Sequence, residues 1–138
     1  MFINVYTDGG SRGNPGISGY GLVIYDHQNK ILYKEGKFLG IKTNNEAEYS
    51  GILAALSWIK NHKDLYQISQ VNFFADSQLM IRQLQGIYKV KAPTLLPLYA
   101  QVQQLLTQIS LPTKYTDVRR EFNKLADELA NQAMDKRF

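Results

Sequence analysis

The chain has 138 residues, enough for one compact domain with a single core. Hydrophobic residues make up 44% of it, which argues against disorder, and the absence of cysteine excludes disulfides and thiolate metal sites. Sixteen Lys and Arg against twelve Asp and Glu give a net charge of +4, a balance that suits a polyanionic partner without requiring one. The N-terminal MFINVYTDGG lacks the basic and apolar regions of a signal peptide. No run approaches the roughly 18 apolar residues of a membrane span, so a soluble, cytoplasmic protein is expected.

In chain order, Phe2 to Thr7 alternates as a strand does and runs into Asp8. The stretch DGGSRGNPG has the glycines and proline of a turn. Gly19 to Tyr25 and Ile31 to Leu39, separated by Asp26–Lys30, complete an antiparallel three-strand meander. Thr43, Asn44 and Asn45 then offer N-cap side chains for a helix over Glu46 to Lys60. A strand is expected at Val71–Ala75, followed by a short helix from Ser77 to Leu84 that Gly86 ends. Pro93 and Pro97 bracket the entry to a helix reaching Ile109. Pro112 to Val118 reads as a last strand and Asn123 to Asp135 as a last helix. The order βββαβααβα implies an α/β fold: a five-stranded mixed sheet with helices on both faces.

Three acids stand where structure alone would not put them. Asp8 ends an apolar strand, and Asp76 ends the strand VNFFA. Glu48 continues inward the stripe Ile52, Ala55, Ile59, at spacings i, i+4, i+7 and i+11. A carboxylate facing the core costs several kcal/mol unless it is paired or binds metal. Each acid also has a structural reading: Asp8 as an Asx-turn, Asp76 as a helix N-cap, Glu48 as a salt-bridge partner or a charge at a helix N-terminus. Asp127, in NKLADELANQAM, lies at the edge of an apolar helix face and carries the weakest signal of the four. Oxygen-only ligands favour Mg²⁺ or Mn²⁺ over Zn²⁺. His27 in a turn and His62 at a polar helix end read as solvated. With four acids gathered in one site, the remaining surface would carry sixteen bases against eight acids, a basic body around an acidic pocket.

At these residues the chain resembles the type 1 ribonuclease H family. The motifs are TDGGSRGNPG at 7–16, TNNEAEY at 43–49, ADSQLMIRQL at 75–84 and NKLADELAN at 123–131, in the family's order and spanning essentially the whole chain. The resemblance implies a single ribonuclease H domain over 1–138, with Asp8, Glu48, Asp76 and Asp127 as metal ligands. Glu46 matches a variable position beside Glu48. It further implies two-metal hydrolysis of the RNA strand of RNA–DNA hybrids with two Mg²⁺ ions, leaving 5′-phosphate and 3′-hydroxyl ends. Mn²⁺ is a possible substitute. Hybrid contacts fall by resemblance on the turn residues Gly9, Gly10, Ser11, Arg12 and Asn14, and on Asn44, Asn45 and Gln78, with Thr43 on a DNA-strand phosphate. Plain turn and capping chemistry is the alternative for these positions.

Two departures from the family pattern matter. The long basic insertion of many bacterial members is replaced by GIYKVKAP at 86–93, which keeps Tyr88, Lys89 and Lys91 as candidate contacts to the DNA strand. The loop histidine that many members carry before the last helix is also missing. The form VRREFN is similar to the archaeal-like subgroup and makes Arg120 a candidate site residue, with Arg119 the alternative. Rival readings are a catalytically silent hybrid-binding module, activity extended to double-stranded RNA, and a fragment of a reverse transcriptase. The Met1 start and the full set of elements favour a free-standing enzyme, expected as a monomer without membrane attachment.

Overall fold

The computed structural model describes residues 1–138. The elements are β1 (Phe2–Arg12), β2 (Gly16–Tyr25), β3 (Ile31–Lys42), α1 (Asn44–His62), β4 (Gln70–Ala75), α2 (Gln78–Leu84), α3 (Leu96–Ile109), β5 (Thr113–Asp117), a 3₁₀ turn at Arg120–Phe122, and α4 (Lys124–Lys136). The sheet order is β3-β2-β1-β4-β5. β1, β2 and β3 form the antiparallel meander, while β4 runs parallel to both β1 and β5. No helix is long and apolar enough to cross a membrane.

Strand alternation sets the two faces. Ile3, Val5 and Thr7 of β1 and Val71, Phe73 and Ala75 of β4 are buried on one side. α1 and α3 cover that side, and Tyr49, Ile52, Leu56 and Ile59 of α1 join Leu22, Ile24, Phe73, Val102 and Ile109 in one core. Each such side chain contributes about 1.5–3 kcal/mol on burial. The opposite face is thin. There α4 lays Ala126, Ala130 and Ala133 over Gly19, Gly21 and Gly36. A Cβ on Gly21 would lie 2.1 Å from the Ala126 carbonyl oxygen, and one on Gly36 2.5 Å from that of Leu129.

Two expectations are corrected. The glycine-rich stretch is not a turn throughout. Gly9, Gly10, Ser11 and Arg12 extend β1, paired with Tyr20, Gly19, Ser18 and Ile17, and the reversal is confined to the residues between β1 and β2. The antiparallel partner offers ladder bonds that outweigh glycine's low strand preference. His62 is not solvated. It is half-buried and stacked on Trp58 at 4.3 Å, with its Nδ1 on the Trp58 carbonyl at 2.7 Å.

The topology opens a cleft. Pairing between β1 and β4 stops at Tyr6 and Phe74. Beyond that pair β1 continues to Arg12 with β2 on one edge and no strand on the other. Such a gap at the carboxyl ends of parallel strands is where α/β sheets place their ligands.

Candidate active site

The register of the two central strands places the first two acids. Asp8 and Asp76 each lie two residues beyond the Tyr6–Phe74 pair, on neighbouring parallel strands. Glu48 reaches the same point from α1, whose backbone is pressed onto β1. A Cβ on Gly9 would sit 2.6 Å from the Ala47 carbonyl carbon, so only glycine admits the helix there. Carboxylate oxygens of Asp8, Glu48 and Asp76 lie within 4.8 Å of one another. Asp127, in the first turn of α4, lines the same cleft of about 630 Å³ but stands outside that tight group.

The structure contradicts the structural readings of Asp8 and Asp76 and the salt-bridge reading of Glu48. Asp8 lies in a continuous strand opposite Gly21, not in an Asx-turn. Ser77, not Asp76, caps α2, its Oγ accepting from the Met80 N–H at 3.3 Å. Glu48 forms no salt bridge, and its Oε2 is buried without a hydrogen-bond partner. Glu46 is the acid with a structural task. It closes a capping box with Thr43, the Thr43 N–H donating to its Oε1 at 3.0 Å and its own N–H donating to Thr43 Oγ1 at 3.2 Å.

The acids strain one another electrostatically. Burial, then the charge of Asp76 and the proximity of Asp127, pushes the Asp8 carboxyl up to about 8, with the Gly9 N–H opposing the rise. Burial, followed by the charges of Asp8 and Asp76, holds Glu48 well above the usual carboxylate range. Asp76 is raised by burial and by Asp127, while the Arg120 guanidinium pulls it back. Three carboxylates that cannot share full ionisation without help could hold a divalent cation.

The cleft also gathers Gly9, Gly10, Ser11, Arg12, Asn44, Asn45 and Arg120 among the residues expected from sequence. The tip of the β1–β2 hairpin is tied to the start of α1. The Ser11 N–H donates to Asn44 Oδ1 at 2.7 Å, and the Asn44 N–H donates to Asn14 Oδ1 at 2.9 Å. Asn14, Thr43, Gln78, Tyr88, Lys89 and Lys91 do not line the cleft. Gln78, Tyr88, Lys89 and Lys91 are exposed, and Val90 between the two lysines is buried and anchors their connector. Of the two candidate arginines, Arg120 lines the cleft, whereas Arg119 is turned out toward Glu121 at 3.8 Å.

Sequence reasoning missed Ser77, Ala130, Asn131 and Met134 in the lining, and Asn123 behind it. Asn123 is buried and its Nδ2 donates to the Thr7 carbonyl at 2.8 Å, which fixes the start of α4 beside Asp8. Asn123 and Asn131 flank Asp127 at i−4 and i+4, a spacing readable in the sequence.

A family model described as reverse transcriptase-like matches residues 6–133. The crystal structure of LC11-RNase H1 in complex with an RNA/DNA hybrid superposes with a TM-score of 0.92 at 39% identity, covering 98% of both chains. The chain belongs to the type 1 ribonuclease H family. Ribonuclease HI of Halobacterium salinarum is 35% identical over 133 residues, covering 96% of this chain and 64% of that one. The bifunctional protein Rv2228c of Mycobacterium tuberculosis is 41% identical over 138 residues, covering 98% of this chain. The chain spans only 36% of the length of that mycobacterial relative. A ribonuclease H frame explains the element order, the mixed five-stranded sheet and the convergence of acids from β1, α1 and β4 on one cleft.

Proposed function

We infer that this chain is an endonuclease that hydrolyses the RNA strand of RNA–DNA hybrids with two divalent cations, Mg²⁺ or its substitute Mn²⁺. The observation that carries the reading is the tight carboxylate group of Asp8, Glu48 and Asp76, with Glu48 Oε2 buried and unpartnered. A buried carboxylate oxygen without a donor is costly, and a cation is the partner that a cluster of like charges lacks. The donor set fits: all ligands are hard oxygens, and neither histidine is near.

Asp8, Glu48, Asp76 and Asp127 would hold the cations. When bound, these supply Lewis acidity toward the phosphodiester and a lowered pKa for the attacking water. The chain's own groups do the rest. Arg120 lines the cleft beside Asp76, and its guanidinium, a fork of donors with no acceptor, would bind a phosphate oxygen rather than take a proton from water. Gly10, where a Cβ would meet only Asn44 Oδ1 at 4.0 Å, leaves the floor of the cleft bare, so a nucleic-acid backbone could approach the strand closely there. Asn44 has its Oδ1 taken by Ser11, which turns its amide NH₂ outward as a donor. A ribose 2′-OH both donates and accepts, and is the group that separates the RNA strand from the DNA strand. Gln78, Thr43, Tyr88, Lys89 and Lys91 would extend the contact along the duplex.

The test is cleavage of hybrid, duplex RNA and duplex DNA side by side across a Mg²⁺ titration, with Asp76→Asn as control. Hybrid cleavage that needs the cation and is lost in Asp76→Asn is expected, with 5′-phosphate products. Metal-independent hybrid binding without cleavage would replace the reading with a binding module. Cleavage of duplex RNA at a comparable rate would widen the substrate to double-stranded RNA.

A further inference from the structure

The carboxylate of Asp127 reaches the cleft from α4, the one ligand-bearing element on the thin face of the sheet. Asn131 lies one turn further along α4, and its Nδ2 donates to Asp127 Oδ1 at 3.2 Å and to the Asp127 carbonyl at 3.0 Å. The other end of the same amide faces β1. Arg12 Nη2 donates to Asn131 Oδ1 at 3.2 Å and to the Asn131 carbonyl at 3.4 Å, while Arg12 Nη1 pairs with Asp135 at 2.6 Å.

This arrangement fixes the amide's direction. An asparagine amide has an acceptor end and a donor end. Reversed, the Asn131 NH₂ would meet a guanidinium donor and its oxygen would meet a carboxylate. Arg12 therefore forces the donor end onto Asp127. One oxygen of Asp127 is then occupied, and the other is left toward the cleft. The Arg12–Asp135 pair is half-exposed on both sides, with side chains 44% and 60% accessible, so its own contribution to stability is small. Its geometry, which seats the guanidinium over Asn131, is the more consequential property.

We propose that Arg12 and Asn131 are positioning residues for Asp127, acting in series from the hairpin strand through one oriented amide to the metal-binding carboxylate. The proposal rests on the reading of Asp127 as a cation ligand. Arg12, expected from sequence to touch substrate, acts here through α4.

The experiment measures two quantities for wild type, Asn131→Ala, Asn131→Asp, Arg12→Ala and Asp127→Asn. One is the Mg²⁺ concentration for half-maximal hybrid cleavage. The other is the rise in Tm that Mg²⁺ produces in the enzyme without substrate. Groups that orient metal ligands alter affinity or activity by roughly 10–100-fold when removed. Asn131→Ala should raise the half-maximal Mg²⁺ about tenfold and shrink the Mg²⁺-induced Tm rise, leaving the Tm in chelator nearly unchanged. Asn131→Asp, which keeps the bond to Arg12 but turns an acceptor on Asp127, should do at least as much damage. Arg12→Ala should show a weaker shift in the same direction. Unchanged Mg²⁺ dependence in Asn131→Ala overturns the proposal, whether or not the Tm in chelator falls. Asp127→Asn separates the two failures. If it too leaves the Mg²⁺ dependence unchanged, Asp127 is not a ligand. If it shifts the dependence and Asn131→Ala does not, only the positioning role fails.

Discussion

A Cβ on Gly9 would lie 2.6 Å from the main-chain nitrogen of Glu48. The central strand and the helix carrying the most buried acid are thus in backbone contact, and Glu48 is placed by that contact. Gly9→Ala should force α1 outward at a cost of about 1–3 kcal/mol, the usual range for overpacking. Because a shift near 1 Å in a catalytic group costs on the order of 10² in rate, cleavage should fall further than stability does. Urea midpoints and cleavage rates measured together test this. Wild-type values for both would show that α1 yields without moving Glu48.

The raised carboxyl of Asp8 makes the cation-free protein weaker as the solution becomes more basic. Its folded pKa of about 8 lies above its ordinary value of 3.8, so its contribution is fully present at acid pH and is lost as pH rises through that window. Melting in chelator should therefore show Tm falling from acid to mildly alkaline pH. Asp8→Asn should flatten the fall while abolishing cleavage, since the amide keeps the shape without the charge. A wild-type Tm insensitive to pH over that range would refute the strained cluster.

Proton and cation compete for the same oxygens. The elevated pKa values of Asp8, Glu48 and Asp76 mean that cation binding must release protons. The Mg²⁺ concentration for half-maximal cleavage should fall as pH rises, by up to about tenfold per pH unit for each proton displaced. A titration at several pH values, read as proton release in unbuffered solution, checks the sign directly.

Arg120 and Arg119 should separate cleanly. Arg120→Ala should slow turnover by about tenfold or more with little change in KM, the pattern of a group that acts on developing charge. Arg119→Ala should be near wild type, because its side chain is 81% accessible and its partner Glu121 is 3.8 Å away. Equal effects in the two variants would remove Arg120 from the site.

Lys89 and Lys91 flank the buried Val90 on an exposed connector. If both meet phosphates of the DNA strand, changing both to Ala should weaken hybrid binding and lower the salt slope of log affinity by about 2. An unchanged slope would leave the connector as packing alone.

Much of the site was legible in local pattern. Glu48 followed from helical spacing, since its stripe with Ile52, Ala55 and Ile59 is a property of a single helix. Asp8 and Asp76 followed from apolar strand patterns that run into an acid, although only the register shows that they stand level, two residues past the Tyr6–Phe74 pair. What was hidden depended on partners far away in sequence. The glycines after Asp8 look like a turn until β2 lies beside them. His62 looks exposed until it stacks on Trp58. The link from Arg12 to Asn131 spans 119 positions and has no local trace. Asp127 belongs to both groups: its edge position on α4 was readable, but its neighbours were not.

The contrast between the two faces of the sheet has a dynamic consequence. One face is sealed by large side chains, whereas α4 is held by alanines against glycines and by polar ties at Asn123 and Arg12. Outside the main core Val23 and Met134 are the only large apolar side chains buried, so α4 should open locally while the rest of the fold stays closed. In hydrogen exchange its amides would then exchange ahead of those of α1. Three of the four acids would remain fixed while the fourth comes and goes.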